Sequence, residues 1–103
     1  MSEENTKIIT VNVKDLSFKG ENVIVDLIRF IAEQIPQADI KREGNQISIE
    51  IPEKISKRAI KLRIKKFLYR KHLDADYRPI SYRTADEDGY IIKEKKAIEL
   101  SYY

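Results

Sequence analysis

The stretch "ISKRAIKLRIKKFLYRKHL", Ile55 to Leu73, predicts an amphipathic helix that carries eight Lys or Arg residues and no acidic residue. Its large apolar side chains recur at helical spacing and fall within about 80° of Ile60 around the helix axis, so they form one stripe that can pack against a sheet. The stripe consists of Ile60, Ile64, Phe67 and Leu68. We expect this helix to span residues 55–72, with Ser56 as its N-cap.

The basic side chains form two ridges on the outward side of this helix, separated by a strip that contains Leu62 and Tyr69. Like charges at this spacing cost an isolated helix about 0.2–0.5 kcal/mol per pair, and no interleaved acid relieves that cost. A bound polyanion would relieve it, because each neutralised phosphate releases condensed counterions. One ridge holds Arg58, Lys61 and Lys65, and the other holds Arg63, Lys66 and Arg70.

The positive charge is confined to this part of the chain. Residues 54–73 hold nine basic and no acidic residues, whereas residues 1–53 carry a net −4 and residues 74–103 a net −2, which together give +3. A patch of this kind indicates a surface that binds a polyanion. Two alternatives remain open: a helix face that is merely solvated, and a helix that lies on an anionic membrane surface.

Before this helix, the pattern predicts a strand, a helix and a hairpin. Alternating β-branched residues indicate a strand over 8–13, and apolar residues at helical spacing indicate a helix that Pro36 ends. Two short runs flank Gly44-Asn45, which predicts a hairpin turn at that dipeptide. The apolar positions of the first helix are Val23, Ile24, Leu27, Ile28, Ile31 and Ile35.

After the basic helix, "DYRPISYR" predicts a strand with Pro79 near its start or on a sheet edge. "DEDG" (86–89) predicts a turn, and Gly20, Gly44 and Gly89 are each expected at a turn. A final strand is expected toward the C-terminus, with Ile98, Leu100 and Tyr102 on one side.

The resulting order, β-α-β-β-α-β-β, predicts an α+β fold with an antiparallel or mixed sheet and two helices packed on one face. The length of 103 residues suits a single domain. We assign residues 7–103 to that domain and residues 1–6 to a flexible N-terminus.

The basic helix resembles that of the eukaryotic ribosomal protein large-subunit twenty-two family, in which Ser-Lys-Arg opens a helix with a Lys-Lys-aromatic-Leu run. Residues 56–58 and 65–68 match these two motifs. The similarity extends over about residues 47–103, and the final "IELSYY" resembles the closing strand of the family. Further matching positions are Lys61, Arg70, Lys71, Arg78, Glu99, Leu100, Tyr102 and Tyr103.

The resemblance implies a divergent, archaeal-like member of that family. The expected function is that of a structural constituent of the large ribosomal subunit, a cytoplasmic protein whose basic helix binds ribosomal RNA. Two alternatives remain open: a DNA-binding or chromatin-associated protein that uses the same helix, and an adaptor that binds an acidic protein. The predicted RNA-binding residues are Lys54, Lys57, Arg58, Lys61, Lys65, Lys66, Arg70, Lys71 and Arg78.

The sequence offers little support for catalysis, so we expect a protein that is not an enzyme, with no cofactor, metal, small-molecule substrate or membrane partner. There is no glycine-rich phosphate loop, and His72 is the only histidine. His72 with Asp74 and Asp76 is an incomplete metal-ligand set, and "DEDG" lacks the length of a calcium loop. The absence of cysteine and of a signal-peptide pattern at the N-terminus favours a reducing, intracellular environment.

Overall fold

The computed structural model describes residues 5–95, which form an α+β domain with the predicted order of elements. A short 3₁₀ helix, Leu16–Lys19, precedes the first α-helix. The elements are β1 (Thr6–Asn12), α1 (Glu21–Gln34), β2 (Asp39–Glu43), β3 (Gln46–Pro52), α2 (Lys57–Arg70), β4 (Tyr77–Arg83) and β5 (Asp88–Glu94).

The five strands form one mixed sheet in the order β2-β3-β1-β5-β4. Neighbouring strands are antiparallel except β1 and β5, which pair in parallel. That parallel pairing joins β2-β3-β1 to the β5-β4 hairpin and covers three residue pairs, centred on Val11 and Tyr90. The union of the two halves of the sheet therefore depends on a short stretch of backbone pairing.

Both helices pack on one face of this sheet, as predicted, and share one hydrophobic core. Alternate residues of the central strands point into it, including Ile9 and Val11 from β1 and Ile49 from β3. The α1–α2 contact is marked by Phe30 and Phe67, whose ring centroids lie 5.8 Å apart. The core fixes the side of α2 that remains available for binding.

The predicted hairpin turn is confirmed, because β2 ends at Glu43 and β3 begins at Gln46. Gly44 in this turn has a φ of 61°, in the left-handed region that glycine tolerates best. Pro79 lies in β4, an edge strand of the sheet, also as predicted. An edge tolerates proline because the missing N–H need not serve a central ladder.

The turn predicted at residues 86–89 lies two residues earlier, because Asp88 and Gly89 belong to β5. The connection is residues 84–87, where the Thr84 hydroxyl accepts from the backbone N–H groups of Asp86 at 3.3 Å and Glu87 at 2.9 Å. A threonine side chain that bonds backbone groups two and three residues ahead supports a turn by itself. The turn therefore begins at Thr84 and ends before the glycine.

Gly89 lies in a strand rather than at a turn, and its backbone approaches β1 closely. A Cβ built on Gly89 would overlap the Thr10 carbonyl oxygen and lie 2.7 Å from the Thr10 carbonyl carbon. Glycine is therefore required here by the neighbouring backbone.

Two predictions fall partly outside the described residues. The final strand is described only as β5, so Ile98, Leu100 and Tyr102 lie outside. Of the predicted flexible N-terminus, residues 1–4 also lie outside, and β1 begins at Thr6.

Candidate nucleic-acid interface

Helix α2 presents its basic surface to solvent while its apolar stripe is buried. The Ser56 hydroxyl accepts a hydrogen bond from the Ala59 N–H at 3.3 Å, which confirms the predicted N-cap. Leu62 is 46% exposed and Tyr69 is 70% exposed, so the predicted outward strip is confirmed. The buried residues are Ile60, Ile64, Phe67 and Leu68.

Lys57, the first residue of α2, has partners on the β4–β5 hairpin. Its ammonium lies 2.5 Å from the Asp88 carboxylate and 2.7 Å from the Ser81 hydroxyl, and 4.9 Å from the centre of the Tyr90 ring. The Tyr90 hydroxyl donates to the Lys57 carbonyl oxygen at 3.1 Å. Burial, and secondarily Asp88, raise the pKa of Tyr90, which keeps the phenol protonated as a donor. Lys57 was predicted to bind RNA, but its contacts instead fasten α2 to the hairpin.

Replacing Lys57 with methionine is expected to lower the free energy of unfolding by about 1.5–3 kcal/mol. Methionine keeps most of the side-chain volume, but it leaves the Asp88 carboxylate without its cation. Urea denaturation measures the change. Lys61→Met is the matched control, since Lys61 lies on the same helix without an ion pair among the described residues, and it should cost under about 0.5 kcal/mol. Equal costs for the two variants would contradict the structural role of Lys57.

The end of α2 that packs on α1 also has compensated cations. The Lys71 ammonium lies 3.0 Å from the Asp26 carboxylate of α1. The Arg70 guanidinium lies 5.5 Å from the centre of the Phe30 ring, a cation–π distance. Arg70 and Lys71 were both predicted to bind RNA, but their contacts tie them to α1 and make them less available to a ligand.

The other predicted cations of α2 have no such partners. Within residues 5–95, none of their side chains forms an ion pair or a hydrogen bond. Carboxylates of the described fold therefore do not relieve the mutual repulsion of these cations. These residues are Arg58, Lys61, Lys65 and Lys66. Lys57 and Lys71 differ, because each of them has a carboxylate partner.

A groove of about 580 Å³ lies between the second half of α2 and strand β4, and we call it the α2–β4 groove. It brings Lys65 and Lys66 together with Arg78, a predicted site residue that is distant in sequence. Its remaining lining residues are Leu68, Tyr69, Asp74, Tyr77, Pro79 and Lys95. Among the residues that the structure describes, four cations therefore surround a partly aromatic groove with one carboxylate.

Lys95 completes this set, although it was not among the predicted site residues. Its ammonium donates to the Asp74 carbonyl oxygen at 2.9 Å, and its backbone N–H donates to the Asp76 carbonyl oxygen at 2.7 Å. These bonds fix Lys95 against the loop that leaves α2. No local sequence signal marks Lys95, because its position depends on the pairing of β5 with β4.

Lys54 lies away from this groove. It is exposed in the connection between β3 and α2 and lines a separate depression of about 250 Å³ with Asn5, Pro52 and Glu53. The structure therefore does not group Lys54 with the cations of α2 that line the α2–β4 groove.

The end of α2 at His72 is a Schellman motif. His72 has a φ of 60°, its N–H donates to the Tyr69 carbonyl at 3.1 Å, and the Leu73 N–H donates to the Leu68 carbonyl at 2.8 Å. The backbone hydrogen bonds of this motif therefore account for the position of His72 at the helix end. Within residues 5–95, no group of three or more His, Cys, Asp or Glu side chains is arranged to hold a metal ion.

The same described part of the chain contains no helix that is long and apolar enough to cross a membrane. Comparison with known proteins finds no matching protein-family model and no matching curated protein. The charges of α2 and the lining of the α2–β4 groove are therefore the structural observations that bear on function.

Proposed function

We propose that this protein is a non-enzymatic, RNA-binding constituent of the large ribosomal subunit and that α2 supplies its main phosphate contacts. The observation that carries the proposal is that Arg58, Lys61, Lys65 and Lys66 lack acidic partners in the described fold. Bound phosphates would offset the repulsion among these cations and release condensed counterions. Arg78 extends the basic surface from α2 to β4.

The side chains of α2 favour recognition of RNA shape over reading of base edges in duplex DNA. Helices that read a DNA major groove pair Arg or Lys side chains with guanine and Asn or Gln side chains with adenine. The outward strip of α2 instead holds Leu62 and Tyr69, and the helix contains no Asn or Gln. Backbone contacts with stacking on an aromatic side chain are the usual means of binding structured RNA that has unpaired bases.

The ribosomal placement is supported by the sequence resemblance to the large-subunit twenty-two family, which covers α2 and Arg78. Because three of the predicted cations already have partners within the protein, fewer residues remain to bind RNA than the sequence predicted. Lys57 and Lys71 have ion-pair partners, and Arg70 lies over Phe30. We therefore expect Arg58, Lys61, Lys65, Lys66 and Arg78 to contribute most of the affinity.

The proposal is tested by measuring binding to a bulged RNA hairpin and to duplex DNA of equivalent sequence. The salt concentration is varied between about 50 and 300 mM KCl, a range in which phosphate-dominated binding weakens measurably. About five phosphate contacts should give a log–log salt slope of roughly −3 to −5. At about 150 mM salt, we expect at least roughly tenfold tighter binding to the RNA, a difference of about 1.4 kcal/mol.

Two results would contradict parts of this proposal. Equal affinity for the RNA and the DNA would favour the DNA-binding alternative, and binding without salt dependence would exclude a phosphate-dominated interface. Density-gradient sedimentation of cell extract tests the placement: the protein should co-sediment with large subunits. Recovery only in the light fractions would contradict a ribosomal role.

A further inference from the structure

The α2–β4 groove has features that phosphate contacts alone do not explain. Tyr69 is 70% exposed at its rim, while the buried residues Leu68, Tyr77 and Pro79 form apolar parts of the lining. A patch that only met a phosphate backbone would need charge and no apolar recess. The volume of about 580 Å³ falls within the range typical of sites for small ligands or single groups.

Resting on the proposed RNA-binding function, we propose that the α2–β4 groove receives one unpaired nucleotide of the bound RNA, with its base against Tyr69. Stacking of a base on an exposed aromatic ring is a common mode of recognition for unpaired nucleotides. Lys65, Lys66 and Arg78 are placed around the same groove to meet the phosphates on either side of that nucleotide. The groove thus matches the amphipathic character of a nucleotide, which has a flat base and a charged backbone.

Asp74, the one carboxylate among the described residues that line the groove, supports a base as the occupant rather than a second phosphate. Asp74 would repel a phosphate, whereas a carboxylate accepts hydrogen bonds from the amino group of a base. The Asp74 carbonyl is already bonded to the Lys95 ammonium, which fixes the backbone at this end of the groove. The base is therefore expected toward Asp74, and the phosphates toward the lysines of α2.

An acidic peptide is the competing occupant, because β4 is an edge strand next to the groove. Addition of a peptide strand relies on a continuous row of backbone donors and acceptors along an edge. Pro79 interrupts that row because it has no N–H, as is common where edges resist pairing. The observations therefore favour a nucleotide.

The test compares two RNA hairpins that differ only by one bulged nucleotide, replaced with fluorescent 2-aminopurine for a direct readout of stacking. Wild-type protein should bind the bulged hairpin about tenfold more tightly than the perfect stem, which is within the range of one base–aromatic stack. Tyr69→Leu should bring that ratio to about one, because the bulged nucleotide then has no aromatic ring to stack on. The aminopurine fluorescence should be quenched by the wild type and not by Tyr69→Leu.

Phe18→Leu is the matched control, because Phe18 is a 76% exposed aromatic residue outside the groove. It should keep both the preference and the quenching. An unchanged preference in Tyr69→Leu, or salt-dependent binding of both hairpins without preference, would overturn the nucleotide site and leave the proposed function standing. Wild-type protein that binds neither hairpin would overturn both proposals. Competition by an acidic peptide as effective as the bulged RNA would also overturn the nucleotide site in favour of a protein partner.

Discussion

Replacing Gly89 with alanine is expected to lower the free energy of unfolding by at least about 3 kcal/mol, which is at the upper end of what overpacking produces. The added Cβ would overlap the Thr10 carbonyl oxygen and lie 2.8 Å from the Thr10 backbone nitrogen. Both obstacles are backbone atoms, so no side-chain rotation relieves the overlap. Strands β1 and β5 would have to separate where they pair, and that pairing joins the two halves of the sheet.

The measurement is a thermal melt followed by circular dichroism. At about 4–8 °C per kcal/mol for a domain of this size, the midpoint should fall by roughly 12 °C or more. Gly44→Ala is the matched control. Gly44 also has a conformation that favours glycine, but a Cβ there meets no atom within 4 Å. Its φ of 61° should cost alanine only about 1 kcal/mol. If Gly89→Ala costs no more than Gly44→Ala, the close approach of β5 to β1 is wrong.

The helices and their faces could be predicted from sequence because their signals are local. The apolar spacing in α2 determines which side is buried, and Ser56 supplies a cap within three residues of its donor. The turn at Gly44-Asn45 is local in the same sense. The alternation of elements followed from these signals, and with it the α+β fold.

The strand order could not be predicted, because it depends on pairing between residues far apart in the chain. Nothing in the sequence near Val11 or Tyr90 marks a parallel pair, yet that pair sets the order of the sheet. The role of Gly89 follows from the same pairing. "DEDG" has the composition of a turn, but contact with β1 makes its glycine a strand residue.

The candidate site shows the same division between local and long-range information. The basic face of α2 could be predicted from its spacing, but the distribution of free and compensated cations could not. Lys57 pairs with Asp88 and Lys71 with Asp26, at separations of 31 and 45 residues. The absence of acidic residues within α2 therefore did not show which of its cations are free to bind a ligand, because the acidic partners lie on other elements.

Reversing the charge at Lys65 and Lys66 together is expected to weaken binding to structured RNA by at least about 100-fold at roughly 100 mM salt, or about 2.7 kcal/mol. Both lysines line the α2–β4 groove, and neither has an acidic partner among residues 5–95. The double variant Lys65→Glu/Lys66→Glu removes two phosphate contacts, so the log–log salt slope should become shallower by about 2. Anisotropy titrations over a range of salt concentrations measure both quantities.

The matched control is Lys19→Glu/Lys41→Glu, since these exposed lysines lie outside α2 and either double variant changes the net charge from +3 to −1. Because both variants alter the long-range field equally, only the loss of specific contacts separates them. The melting temperature of Lys65→Glu/Lys66→Glu should stay the same or rise slightly, since the change relieves repulsion from Lys61 and Arg70 one turn away. An unchanged salt slope would exclude α2 as the contact surface, and an equal loss in the control would reduce the effect to net charge. A large fall in melting temperature would mean that Lys65 and Lys66 stabilise the fold, which would remove the unpaired charge on which the RNA-binding proposal rests.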